Sequence, residues 1–212
     1  TPEYKADVTE VKNQQNTGTC WSFATASFLE SELIRMGNKN PNLSEMFVVR
    51  NIYQEKAKNY ILRQGKANFS QGSLAHDLIA AIEKYGAMPE SAYNGMTGTD
   101  TRYDHSEMET ALKGMLDGVL AQKTFSDKWL PAFNGILDAY MGKAPSTFMH
   151  EGKEYTPKSY SESLGLKLDN YVSISSVTHQ PFYKEFVLEI QNNYSNASSQ
   201  NQTLNKFEET KD

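Results

Sequence analysis

The chain has 212 residues, 38% of them hydrophobic, with 21 basic against 26 acidic side chains and a formal charge of −5. That length supports one substantial core, or one domain carrying a large insertion. There is no basic run to track a phosphate backbone, no apolar stretch approaching the ~20 residues of a membrane span, and only one cysteine, so nucleic acid, membrane, an internal disulfide and a cysteine-cluster metal site are not expected.

Residues 1 to 19 are polar and broken by Pro2 and Gly18, which predicts an extended lead-in loop. A helix is predicted to start at Cys20, with Phe23, Ala26, Leu29, Leu33 and Met36 at helical spacing and Gly37 and Pro41 as the stop. Ser44 is an N-cap for a second helix whose stripe runs through Met46, Val49, Tyr53, Ala57 and Tyr60 before Gly65. A third helix follows Gln71-Gly72-Ser73 and uses Leu74, Leu78, Ile82 and Tyr85, ending at Gly86. Two further amphipathic helices are predicted around Met108 to Gln122 and Asp127 to Met141, with Pro131 in the first turn of the second.

Beyond them, Thr147 to Tyr155 reads as a hairpin around Glu151-Gly152-Lys153, and a short helix opens near Pro157. Tyr171 to Ser176 alternates like a strand. From Ser195 onward the chain is rich in Asn, Ser, Gln, Glu and Lys, which predicts a disordered tail or an extended arm. Ser195-Asn196-Ala197 resembles the remnant left by a tag-cleaving protease, so 195–212 is also read as a segment displaced from ahead of Thr1.

A lone cysteine on an amphipathic helix is ordinarily an inert buried thiol. Cys20 has a different setting. A helix N-terminus favours the thiolate, which is the attacking form. Gly18 permits a close backbone approach. Attack on a carbonyl puts negative charge on its oxygen, and the Gln14 side-chain amide, six residues upstream, joins the Cys20 backbone N–H as the predicted donors.

Val11-Lys12-Asn13-Gln14 followed by Gly18-Thr19-Cys20-Trp21-Ser22-Phe23 resembles the nucleophile segment of papain-like cysteine peptidases. The likeness is stronger to the bleomycin hydrolase and aminopeptidase C branch. Secreted papain relatives carry a disulfide-forming cysteine three residues before the nucleophile, where this chain has Thr17. Further matching strings are Leu43-Ser44-Glu45-Met46-Phe47, Phe69-Ser70-Gln71-Gly72, Lys153-Glu154-Tyr155-Thr156-Pro157 and Thr178-His179-Gln180-Pro181-Phe182-Tyr183. The resemblance implies Cys20 as nucleophile, Gln14 as oxyanion donor, and Gly72 and Ser73 lining the non-primed substrate cleft. Ser73 stands where the family commonly has a second glycine. It also implies peptide substrates, no cofactor, a hexameric particle, and a C-terminal arm in the cleft.

A histidine to protonate the leaving amine and an asparagine to orient it are also implied. His150 lies at the family's distance from the cysteine and Asn170 follows it, but His150 sits in Phe148-Met149-His150-Glu151-Gly152, a turn-like string. With Trp21 and Trp129 the only tryptophans, the family's Asn-Ser-Trp-Gly string is absent. His76 and His105 read as solvated or capping, and His179 as part of a structural turn.

The expected fold is α+β, papain-like, mainly the helical lobe with a helical insertion and an incomplete β lobe. Residues 1–96 form the helical lobe, 97–194 the insertion and the start of the β lobe, and 195–212 the tail. The expected function is a cysteine peptidase, in the aminopeptidase manner, whose histidine lies elsewhere or on a second chain, leaving this piece inactive alone. The alternative is a non-catalytic peptide-binding or assembly module. The expected compartment is the cytoplasm, or the periplasm or exterior after removal of a signal.

Overall fold

The computed structural model describes residues 6–98 and 100–172. Those residues form six α-helices, one short 3-10 turn and a two-stranded antiparallel sheet. Residues 6–19 run without helix or strand, as their composition predicts, into α1 (Cys20–Arg35). The helix α2 (Glu45–Leu62) is capped by the Ser44 hydroxyl, which accepts the Phe47 N–H at 3.0 Å. Next come α3 (Ala75–Tyr85), α4 (Ser106–Leu120) and α5 (Trp129–Met141), the last two starting and ending within two residues of their predicted limits.

The sequence marks a single apolar stripe on α2, but the helix is buried on several sides. Val48, Arg50, Asn51, Ile52 and Lys56 are enclosed along with Met46, Val49, Tyr53, Ala57 and Tyr60. The physical reason is its position, because α2 packs against α1, α3, α4 and α5. From α4, Met108, Leu112 and Leu116, and from α5, Phe133, Leu137 and Met141, are all 0% exposed, each set spaced four apart on one face. Phe69, from the loop after α2, ties the two sides together by edge contacts with Tyr60 and Phe133 at 6.2 and 5.9 Å between ring centroids.

The predicted hairpin is β1 (Phe148–His150) paired with β2 (Lys153–Tyr155), His150 opposite Lys153. Its two-residue turn puts Glu151 and Gly152 at φ 48° and 79°, the positive values that a tight primed turn requires. Thr156 then caps α6 (Pro157–Ser163), with proline at the helix's first position. Gly86, at φ 85°, ends α3 so close to α6 that a Cβ there would stand 2.3 Å from the Pro157 carbonyl carbon. Tyr171 is extended, while the rest of the predicted strand to Ser176 lies outside the described residues. His179 and the 195–212 tail lie outside them too.

Among the described residues no helix is long and apolar enough to cross a membrane. No group of three or more His, Cys, Asp or Glu side chains in them could hold a metal ion.

Candidate active site

Cys20 is the first residue of α1 and its side chain is exposed. The Ser22 and Phe23 amides turn back onto the Thr19 carbonyl at 2.9 and 3.3 Å. That leaves the Cys20 and Trp21 N–H groups at the head of the helix, where the backbone dipole favours an anion. No acidic residue occupies the first turn to oppose it.

The loop before Cys20 is held by its own hydrogen bonds and by two distant segments. Within the loop, the Thr17 hydroxyl donates to the Gln14 carbonyl at 2.8 Å and lies 2.6 Å from the Thr19 hydroxyl. The Gln14 side-chain amide donates to the Thr17 carbonyl at 2.5 Å. It therefore lies against the loop before Cys20, with one of its N–H groups engaged by the loop itself.

On one side, the Gly18 N–H donates to Gln71 Oε1 at 2.7 Å and the Trp21 indole donates to the Gln71 carbonyl at 3.0 Å. The closeness attributed to Gly18 is real, but its partner is Gln71: a Cβ on Gly18 would meet Gln71 Cβ at 3.0 Å. On the other side, the Asn16 amide donates to Asp104 Oδ2 at 2.6 Å, Asn16 N–H to the Tyr103 carbonyl at 3.2 Å, and His105 N–H to the Asn16 carbonyl at 3.3 Å. Gln15, at φ 54°, accepts the Tyr103 N–H on its side chain.

Gly72 and Ser73 follow directly from Gln71, so the two residues assigned to the cleft adjoin the nucleophile loop. Ser73 is buried and its hydroxyl donates to Asp77, on the first turn of α3. The serine in a glycine's place is thereby drawn into the protein. Gln71 and the Asn16–Asp104 clasp were not singled out from the sequence. Their partners lie 53 and 88 residues away, and no local spacing records such pairs.

The described histidines have other neighbours. His76 Nε2 is 3.6 Å from Asp77 Oδ1. His150 packs edge-on to Tyr160 at 5.2 Å and faces Tyr155 at 6.5 Å, on a strand end beside the turn. Asn170 ends the 3-10 turn Leu168–Asn170.

His105 departs from its reading as a solvated or capping residue. It does stand at the N-cap of α4, but its ring makes no cap bond, is 4% exposed and lies against Tyr53. Burial holds its pKa down at about 4, against a weaker upward pull from Asp104. With the folded value below the ordinary 6.5, stability from the neutral ring is full above pH 6.5 and is lost as pH falls toward 4. Unfolding free energies from urea titration of the chain and of His105→Phe should therefore diverge across that window, the difference reaching about 3 kcal/mol. Parallel profiles would show that the ring is not held neutral.

A charge cluster anchors the lead-in loop beneath the site. Lys12 donates to Glu45 at 2.7 Å, to the Leu43 carbonyl at 3.0 Å and to Glu30 at 3.1 Å. Glu30 and Glu45 are 1% and 4% exposed. Burial lifts Glu45 to about 7 even with Lys12 beside it. For Lys12, burial pulls downward, but Glu45 and Glu30 outweigh it and hold the ammonium above its ordinary value.

Residues 2–128 match the family model described as papain family cysteine protease. The chain belongs to that family. It is 25% identical to "Aminopeptidase C" of Listeria monocytogenes, over 89% of this chain and 52% of that protein. It is 21% identical to "Aminopeptidase C" of Lactococcus lactis subsp. cremoris, over 91% of this chain and 52% of that protein. A crystal structure of PepW from Lactobacillus rhamnosis HN001 (DR20) superposes with a TM-score of 0.60 and 22% identity, over 80% of this chain and 47% of that one. The chain thus spans about half the length of the curated relatives it matches. The fold is that of a papain-like peptidase, mainly its helical lobe, with the small β1–β2 sheet as the described β structure.

Proposed function

We propose that this chain is the nucleophile-bearing half of a cysteine aminopeptidase that cleaves peptide bonds through a thioester. The observation that carries the reading is Cys20, exposed at the head of α1 on a loop clamped to Gln71, the residue before the Gly72-Ser73 cleft pair. Cys20 Sγ attacks the peptide carbonyl, and the oxygen takes up the charge, facing the Cys20 N–H and the Gln14 amide. The carbon–nitrogen bond breaks as an imidazolium gives the amine its proton. Water then splits the thioester, yielding the carboxylate and the free thiol.

Restriction to peptide N-termini is taken from the two Aminopeptidase C relatives. The imidazole is assigned to sequence outside residues 6–172, or to a second chain. Two observations support this. The described histidines are engaged by Asp77, Tyr53 and the Tyr155–Tyr160 pair. In addition, Cys20, Ala24, Ser27 and Phe28 form an exposed stripe on α1, where a histidine-bearing lobe would pack.

A second reading, a lobe that holds peptide without cutting it, is favoured by the Gln14 amide's bond to the Thr17 carbonyl. Alkylation of Cys20 in the complete protein by iodoacetamide separates the two. The peptidase reading expects brisk reaction at pH 6, where an unassisted thiol is slowed on the order of a hundredfold from its plateau. An ordinary thiol profile would leave the binding module as the better account.

A further inference from the structure

Lys56 lies inside the protein, 2% exposed, on the side of α2 that faces residues 70–73. Its ammonium donates to the Ser70 carbonyl at 2.8 Å and to the Gly72 carbonyl. Asp77 and Glu109 act on it through space, but among the described residues no carboxylate stands at ion-pair distance from it. Burial lowers its pKa to about 8 against the upward pull of those two carboxylates. An ammonium taken out of water with carbonyls as its direct partners is an expensive way to fill space, and an apolar side chain of similar volume would fill it at lower cost.

The cost has a geometric return. Lys56 holds the Ser70 and Gly72 carbonyls toward α2, while Gln71, between them, turns its carbonyl and its side chain to the loop before Cys20 and the start of α1. On that side the Gln71 carbonyl receives the Trp21 indole, and Gln71 Oε1 receives the Gly18 N–H. The Ser73 hydroxyl is engaged by Asp77 inside the protein, away from that contact.

We propose that Lys56 is a positioning residue, whose ammonium, by holding the Ser70 and Gly72 carbonyls, sets the line of residues 70–73 and, through Gln71, the seat of the nucleophile loop. That residues 71–73 form a peptide-binding edge rests on the peptidase reading. The strut itself does not.

Backbone hydrogen–deuterium exchange, resolved by segment, tests it on the purified chain and its variants. Lys56→Met, which keeps the bulk and removes the donor, should speed exchange in 14–21 and 68–74 by about tenfold or more and leave 106–141 unchanged. Lys56→Arg, which restores a cationic donor, should reverse most of the change. Unaltered exchange in Lys56→Met, or equal acceleration in 106–141, would overturn the proposal, because a space-filling residue gives one or the other. If Lys56→Met does not fold, Lys56→Gln is read by the same criterion.

The rate of Cys20 alkylation by a dipeptidyl chloromethyl ketone, relative to iodoacetamide, reports on the cleft separately. Segment-specific loosening without preference of the unaltered chain for the dipeptidyl reagent would keep Lys56 as the strut and remove the peptide edge.

Discussion

Gln14→Ala in the complete protein is expected to lower peptide turnover by about 10²- to 10³-fold, the scale of one lost oxyanion donor, with a much smaller change in KM. The split follows from timing, since the oxygen acquires its charge only as the tetrahedral species forms. A primary amide carries two N–H donors. One of those of Gln14 holds the Thr17 carbonyl at 2.5 Å, so the peptidase reading requires the second to meet the oxyanion. Steady-state kinetics on a dipeptide amide would measure both parameters. If turnover stays within threefold of the unaltered protein, Gln14 is a loop brace and the Cys20 N–H needs another partner.

Lys12→Met is expected to destabilise the chain by about 3–5 kcal/mol near pH 8, because it strands Glu30 and Glu45 in the interior without their cation. The penalty should shrink as the solution is acidified. Burial already lifts Glu45 to about 7, and removing Lys12 removes the main influence opposing that rise. A carboxyl whose folded pKa lies above its unfolded value binds protons more readily in the folded state, so stability falls as pH rises from about 4.5 through the folded value. Urea unfolding at pH 5 and pH 8 should give a clearly smaller difference between variant and parent at pH 5. Equal penalties at both, or a penalty under 1 kcal/mol at pH 8, would mean that water already reaches the cluster.

Features whose causes are local were legible in the sequence. Ser44 before an apolar run marked the start of α2, Gly86 the end of α3, and Glu151-Gly152 the hairpin turn, because each sets a cap or a backbone angle within a few residues. The start of α1 at Cys20 was legible for the same reason. The full burial of α2 was not, since its second covered face depends on where the α4–α5 pair comes to rest.

Lys12 and Lys56 carry no local mark of their place in the interior, and His105 read as solvated or capping, for a related reason. What sets them apart is a partner or a wall far along the chain: Glu45 is 33 residues from Lys12, Gly72 is 16 from Lys56, and the ring beside His105 belongs to Tyr53. For the loop before Cys20, the string that runs from Gln14 to Cys20 was visible as such, whereas the bonds that Gln71 and Asp104 make to it were found only from the fold.

The clasp between Asn16 and Asp104 spans 88 residues. During synthesis at about 5–20 residues per second, Asp104 is joined to the chain roughly 4–18 s after Asn16. For that interval the loop before Cys20 lacks one of the two distant segments that hold it, and closing so long a loop is itself slow. The nascent polypeptide therefore leaves the ribosome with the segment around Cys20 only partly braced, and its full clasp is deferred until most of the helical lobe has emerged.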